Sequence, residues 1–174
     1  MLVRSTDSSL VVIDVQEKLA AAMPAREQVE RAIAILLEAA GLLKVPVFVS
    51  EQYPKGLGHT VSELSTKLPA TAQRVEKTAF SACGCLPLTR GQVVLAGMEA
   101  HVCVLQTAFE LRAAGREVFV VADAVCSRTE TNSRNALDRM AAAGIVITNM
   151  ESVLFEWLGD AANEHFRTIS KLIR

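Results

Sequence analysis

The stretch "VVLAGMEAHVCVLQTAFEL", residues 93–111, joins an apolar run to a helical pattern and sets a cysteine between them. Val93 to Ala96 lacks polar alternation and is rich in β-branched residues, the pattern of a strand buried on both faces. Val104, Leu105, Ala108, Phe109 and Leu111 then recur loosely at helical spacing. A strand feeding a helix is half of a βαβ unit, and Cys103 falls at its turn. Runs of the same kind occur at Leu10–Ile13, Val45–Val49, Val118–Val121 and Ile145–Thr148. Between the first two, Val29, Ala32, Ile33, Leu36, Leu37 and Ala40 mark a helix face. Gly41, Gly115 and Gly144 stand where helices are expected to end. The more polar Gln73–Glu76 is a candidate sixth strand. Thr60 and Glu63 have capping-box spacing, which predicts a short helix after the "YPKGLGH" loop. A last helix is expected over Asn163–Ile173, with Phe166, Ile169, Leu172 and Ile173 on one side. The alternation predicts an α/β fold with a parallel sheet.

A chain of 174 residues, 51% hydrophobic and 21% charged, fits one globular domain spanning 1–174. Its 18 Lys+Arg and 19 Asp+Glu are scattered and give a net charge of -1, so no basic stripe points to nucleic acid or anionic lipid. The apolar run before Asp14 is too short for a signal-peptide core or a membrane span, and a cytoplasmic location is expected. Four cysteines without a regular framework are expected to be free thiols in a reducing compartment.

Open parallel sheets bind ligands beyond the carboxyl ends of their strands, where strand order reverses. Asp14 closes the first strand, Lys77 follows the candidate third, and Cys103 follows the strand at Val93–Ala96. If the first and fourth strands are neighbours, an acid, a base and a thiol share one crevice. A helix N-terminus and a nearby lysine favour the thiolate, which makes Cys103 a candidate nucleophile with a depressed pKa. It is then expected to alkylate at mildly acidic pH ahead of Cys83, Cys85 and Cys126. Asp14 can accept the thiol proton and return it to a leaving group.

These residues resemble the isochorismatase-like cysteine hydrolases. The resemblance is carried by "VVIDVQEKL" around Asp14, "VEKTAFSA" around Lys77 and "LAGMEAHVCVLQTA" around Cys103, with "VVADAVCSR" at Val120–Arg128 and "SEQYPKGLGHTVSEL" at Ser50–Leu64 as support. It implies a three-layer αβα, Rossmann-like sandwich with a six-stranded parallel sheet of order 3-2-1-4-5-6. It further implies a catalytic triad of Asp14, Lys77 and Cys103, an oxyanion hole from the backbone N–H groups of Glu99 and Cys103, a non-proline cis peptide at Met98-Glu99, and a homo-oligomer. Nicotinamidases of this family carry an Asp-x-His metal site, but Glu51, Gln52 and Tyr53 stand there with only His59 nearby, so no metal and no cofactor are expected. Isochorismatases that cleave a vinyl ether lack the cysteine, which favours hydrolysis of an amide or related C–N bond in a small molecule.

Tyr53, Phe80 and His101 are candidate pocket residues, with core packing or local hydrogen bonding as the competing reading. Cys83, Cys85 and Cys126 read as thiols without a role, His165 as a surface residue, and Trp157 as a core or subunit contact. Two further functions are weighed: a family member that binds without turnover, which the intact Asp14, Lys77 and Cys103 argue against, and an ether-cleaving hydrolase. A nucleotide or flavin binder is disfavoured because "DVQEKL" stands where a G-x-G-x-x-G turn would follow the first strand.

Overall fold

The computed structural model describes residues 1–174. Strands β1 (Ser8–Ile13), β2 (Val47–Gln52), β3 (Gln73–Lys77), β4 (Gln92–Met98), β5 (Glu117–Cys126) and β6 (Val146–Thr148) form one parallel sheet in the order β3-β2-β1-β4-β5-β6. The helices are α1 (Glu17–Ala21), α2 (Arg26–Leu42), α3 (Pro54–Leu57), α4 (Ser62–Ser65), α5 (Leu105–Ala113), α6 (Glu130–Ala142), α7 (Met150–Leu158) and α8 (Phe166–Leu172).

The strands carry unbroken apolar runs because both faces of the sheet are covered. Leu10 and Val12 of β1 join Val47, Val94 and Phe119 in a core with Ile33 and Leu37 of α2, Trp157 of α7 and Ile169 of α8. Their neighbours Val11 and Ile13 join Leu95 and Val120 in a second core with Leu105 and Leu111 of α5 and Met140 of α6. Alternate residues of one strand therefore feed opposite layers. Trp157 is a core residue, 2% exposed, and its indole N–H donates to Ser8 Oγ at 2.8 Å.

Several local expectations change. Helix α2 runs through Gly41 to Leu42, and the chain turns at Lys44, which takes φ 55 while Val45 N bonds back to Ala40 O. Gly115 and Gly144 do follow their helices, with φ of 81° and 78°. Helix α4 begins after Val61 without a side-chain cap, so Thr60 and Glu63 form no capping box. Instead the Thr60 hydroxyl and amide both donate to the buried Glu51 carboxylate, at 2.7 and 2.8 Å. The last helix is shorter than the pattern suggests and starts at Phe166.

Sheet order reverses between β1 and β4, and the two strands approach closely at their carboxyl ends. Gly97 sits opposite Ile13 at φ 127, and a Cβ there would overlap the Ile13 carbonyl and lie 2.6 Å from its nitrogen. Only glycine lets the two strand ends close together. Asp14 leaves β1 at this point, and the Met98-Glu99 peptide that ends β4 is cis.

Candidate active site

Asp14 takes φ 51 immediately beyond β1, a turn that sends its side chain into the seam between strands. Its carboxylate is fully buried and doubly engaged. Lys77 Nζ donates to Oδ2 at 2.6 Å, and the Ser50 hydroxyl donates to Oδ1 at 2.6 Å. Ser50 and Asp14 are also joined through the backbone, Asp14 N to Ser50 O, at 3.1 Å.

Lys77 ends β3 two strands away, and its side chain is 3% exposed. A buried ammonium needs acceptors for all three protons. Nζ finds Asp14 Oδ2, Gln52 Oε1 at 2.7 Å, Phe80 O at 2.9 Å and Ala79 O at 3.2 Å. Gln52 is register partner to Lys77 and is itself fixed, with Nε2 on Thr78 O and its backbone N–H on Gln16 Oε1. Gln16, wholly buried, also donates to Gly58 O and so ties the ends of β1 and β2 to the loop after α3. The lysine charge is thus committed to holding Asp14 and the Ala79–Phe80 loop.

Cys103 lies within a π-turn, Ala100–Val104, that leads into α5. It is 6% exposed and belongs to the core beneath α5 and α6. Thr107 pins it from below: its hydroxyl donates to Cys103 O at 2.7 Å and accepts from Ala82 N at 2.9 Å. The loop that supplies carbonyls to Lys77 is thereby anchored to the cysteine turn.

The expected depression of the Cys103 pKa does not occur. Burial pushes the thiol up to about 12, the Asp14 charge and its acceptance of the thiol hydrogen bond add to this, and Lys77 only partly opposes them. The lysine stands 2.6 Å from a carboxylate, so the thiol meets a nearly neutral pair rather than a bare cation. The turn begins at Ala100, which leaves Cys103 three residues inside it rather than at its first N–H groups. At neutral pH the Cys103 side chain is therefore held as the thiol.

The remaining candidates are spread around this centre. Glu99, 8% exposed, turns its carboxylate to Arg128, whose Nε donates at 2.8 Å. His101 hydrogen-bonds locally, Nδ1 with Ser127 Oγ at 2.9 Å and Nε2 with Asn132 Nδ2 at 3.4 Å. Tyr53 and Phe80 are each 55% exposed, which removes the core reading for both. Tyr53 lines an open cleft of about 380 Å³ with Pro54, Lys55, Glu76, Lys77 and Thr78; Phe80, His101 and Cys103 are not in its wall. Cys83 and Cys85 form one 3-10 turn, and both thiols are raised, chiefly by burial. Cys126 is buried and raised to about 12 by the same cause.

At the position of the nicotinamidase metal site, Glu51 holds Thr60 and pairs with His59 Nδ1 at 2.9 Å. No three His, Cys, Asp or Glu residues gather anywhere as a metal cluster. Sequence reasoning missed Ser50, Gln52, Gln16 and Thr107. Their only signal is polarity in otherwise apolar elements, since Ser50 and Gln52 alternate at the end of β2 and Thr107 lies on the buried face of α5.

A family model described as "Isochorismatase domain" matches residues 8–152. Isochorismatase domain-containing protein 1 of Salmo salar is 45% identical over 147 residues, covering 80% of this chain and 51% of that protein, so the chain spans about half the length of this relative. Isochorismatase domain-containing protein 2 of Homo sapiens is 37% identical over 174 residues, covering 96% of this chain and 83% of its own. The structure of MAR1 ribonuclease from Caenorhabditis elegans superposes with a TM-score of 0.94 at 38% identity, over 99% of this chain and 92% of that one. With its family model, its relatives and its sheet order in agreement, the chain belongs to the isochorismatase-like hydrolase family.

Proposed function

We propose that the protein is a cysteine hydrolase that cleaves an amide or related C–N bond of a small molecule, without a metal, through Asp14, Lys77 and Cys103. The observation that carries this reading is the buried Asp14–Lys77 pair beside the Cys103 thiol. A buried ion pair is a weak device for stability, because desolvation offsets its attraction. It is well suited to hold a base in one orientation.

In this reading Asp14 removes the thiol proton as sulfur attacks the carbonyl carbon, so no resting thiolate is required. The new C–S bond leaves an oxyanion facing the backbone N–H groups of Glu99 and Cys103. The oxyanion collapses, the C–N bond breaks, and Asp14 returns the proton to the departing amine. Water then attacks the thioester with Asp14 again as base; the acid departs and the thiol recovers its proton. Lys77, saturated by four acceptors, keeps Asp14 in place and touches no substrate. We assign the whole of 1–174 to one catalytic unit that works as a homo-oligomer.

The ribonuclease relative raises phosphodiester hydrolysis as the competing reading. The net charge of -1 without a basic stripe, and a sulfur nucleophile suited to carbonyl carbon, favour the amide. The test is a panel of amides, ureides and carbamoyl compounds followed by ammonia release, with single-stranded RNA assayed alongside. Ammonia from at least one compound, with RNA intact, is expected. RNA cleavage without ammonia release would overturn the proposal.

A further inference from the structure

Asp14 is held on both carboxylate oxygens, but its two partners differ in stiffness. Lys77 reaches Oδ2 from the end of a four-carbon stem that can follow the carboxylate if it rotates. Ser50 cannot follow. Its hydroxyl is one bond from Cβ, and β2 is locked to β1 with Ser50 paired to Ile13. The same residue accepts from Asp14 N through its carbonyl and donates to Asp14 Oδ1 through its hydroxyl, a two-point clamp on one side chain. The 2.6 Å separation is in the range of charge-assisted O–H···O contacts. Ser50 and Asp14 are both 0% exposed, so no solvent stands ready to replace the hydroxyl.

We infer that Ser50 is a positioning residue for the hydrolysis: it fixes the Asp14 carboxylate so that its free lone pairs face the Cys103 thiol. The inference rests on the proposed role of Asp14 as proton acceptor. Ser50 acts only through Asp14 and meets neither substrate nor sulfur. Gln52 has the corresponding part toward Lys77, but through a longer and more flexible side chain.

The test needs no known substrate. Cys103 alkylation by iodoacetamide is followed by peptide mass spectrometry at pH 7 in the wild-type chain, Ser50→Ala, Ser50→Thr, Asp14→Asn and the Ser50→Ala/Asp14→Asn double variant. Ser50→Ala should slow alkylation about tenfold, the scale of one lost charge-assisted hydrogen bond. Ser50→Thr, which keeps the hydroxyl, should restore most of the rate. In the Asp14→Asn background Ser50→Ala should have no further effect, because a residue acting through Asp14 has nothing left to position. On any substrate found by the amide panel, kcat should fall with KM unchanged. Equal alkylation in wild type and Ser50→Ala, an additive effect in the double variant, or an unfolded Ser50→Ala chain would each overturn the inference. Loss of the amide reading alone would show instead as no ammonia from any compound of the panel, with the Ser50→Ala effect on Cys103 alkylation and its absence in the Asp14→Asn background intact.

Discussion

A thiol held neutral up to about pH 12 places its proton acceptor at the centre of the chemistry. If Asp14 takes that proton during attack, Asp14→Asn should slow ammonia release from any compound the wild type hydrolyses by about 10²-fold or more. An ammonia assay over time reads this directly, and equal rates in both proteins would remove Asp14 from the role. The raised thiols also bear on stability. Cys103 and Cys126 both rise from 9.0 to about 12, so the folded state favours their neutral forms. That contribution is complete below about pH 9 and is lost as pH climbs towards 12. Cys126→Ala should therefore lose less melting temperature than wild type between pH 8 and 11; identical slopes would assign the alkaline loss to other groups. The three candidate residues were legible because each stands at or shortly beyond the carboxyl end of a strand, Asp14 just past β1, Lys77 as the last residue of β3 and Cys103 in the turn after β4. The state of the thiol was not, since it depends on Lys77 sharing its charge with Asp14, a contact between residues 63 positions apart.

At the scale of elements, the junction of β1 and β4 decides whether the site exists. Gly97→Ala would push a methyl into Ile13 and force alanine to φ 127, so a destabilisation of about 3 kcal/mol or more is expected by urea unfolding. A loss under about 0.5 kcal/mol would mean that the strands can part there without cost. The strands were readable from apolar runs, and even polar Gln73–Glu76 proved to be one, extended to Lys77. It is an edge strand, and its exposed side explains its polarity. The helix ends were read less well. Lys44 takes the left-handed turn that Gly41 suggested, and Thr60 caps no helix because Glu51 claims both its donors. Ser50 and Gln52 were invisible for a related reason: a polar residue at a strand end looks like the start of a loop until the register shows what lies opposite.

For the whole molecule, the two cores on either face of the sheet leave its carboxyl edge as the place where Asp14, Lys77 and Cys103 meet. That much was present in the order of elements, while the pairing of β1 with β4 came from the resemblance. Because Glu51 is engaged by Thr60 and His59, treatment with a chelator should leave ammonia release unchanged. Loss of activity that returns with added zinc would place a metal in the reaction. The most direct measurement of the central claim is ammonia release by Cys103→Ala on a compound that wild type hydrolyses, with both proteins checked for the same melting behaviour. The account predicts a fall of at least ~1,000-fold with the fold intact; undiminished turnover in the alanine variant would contradict it.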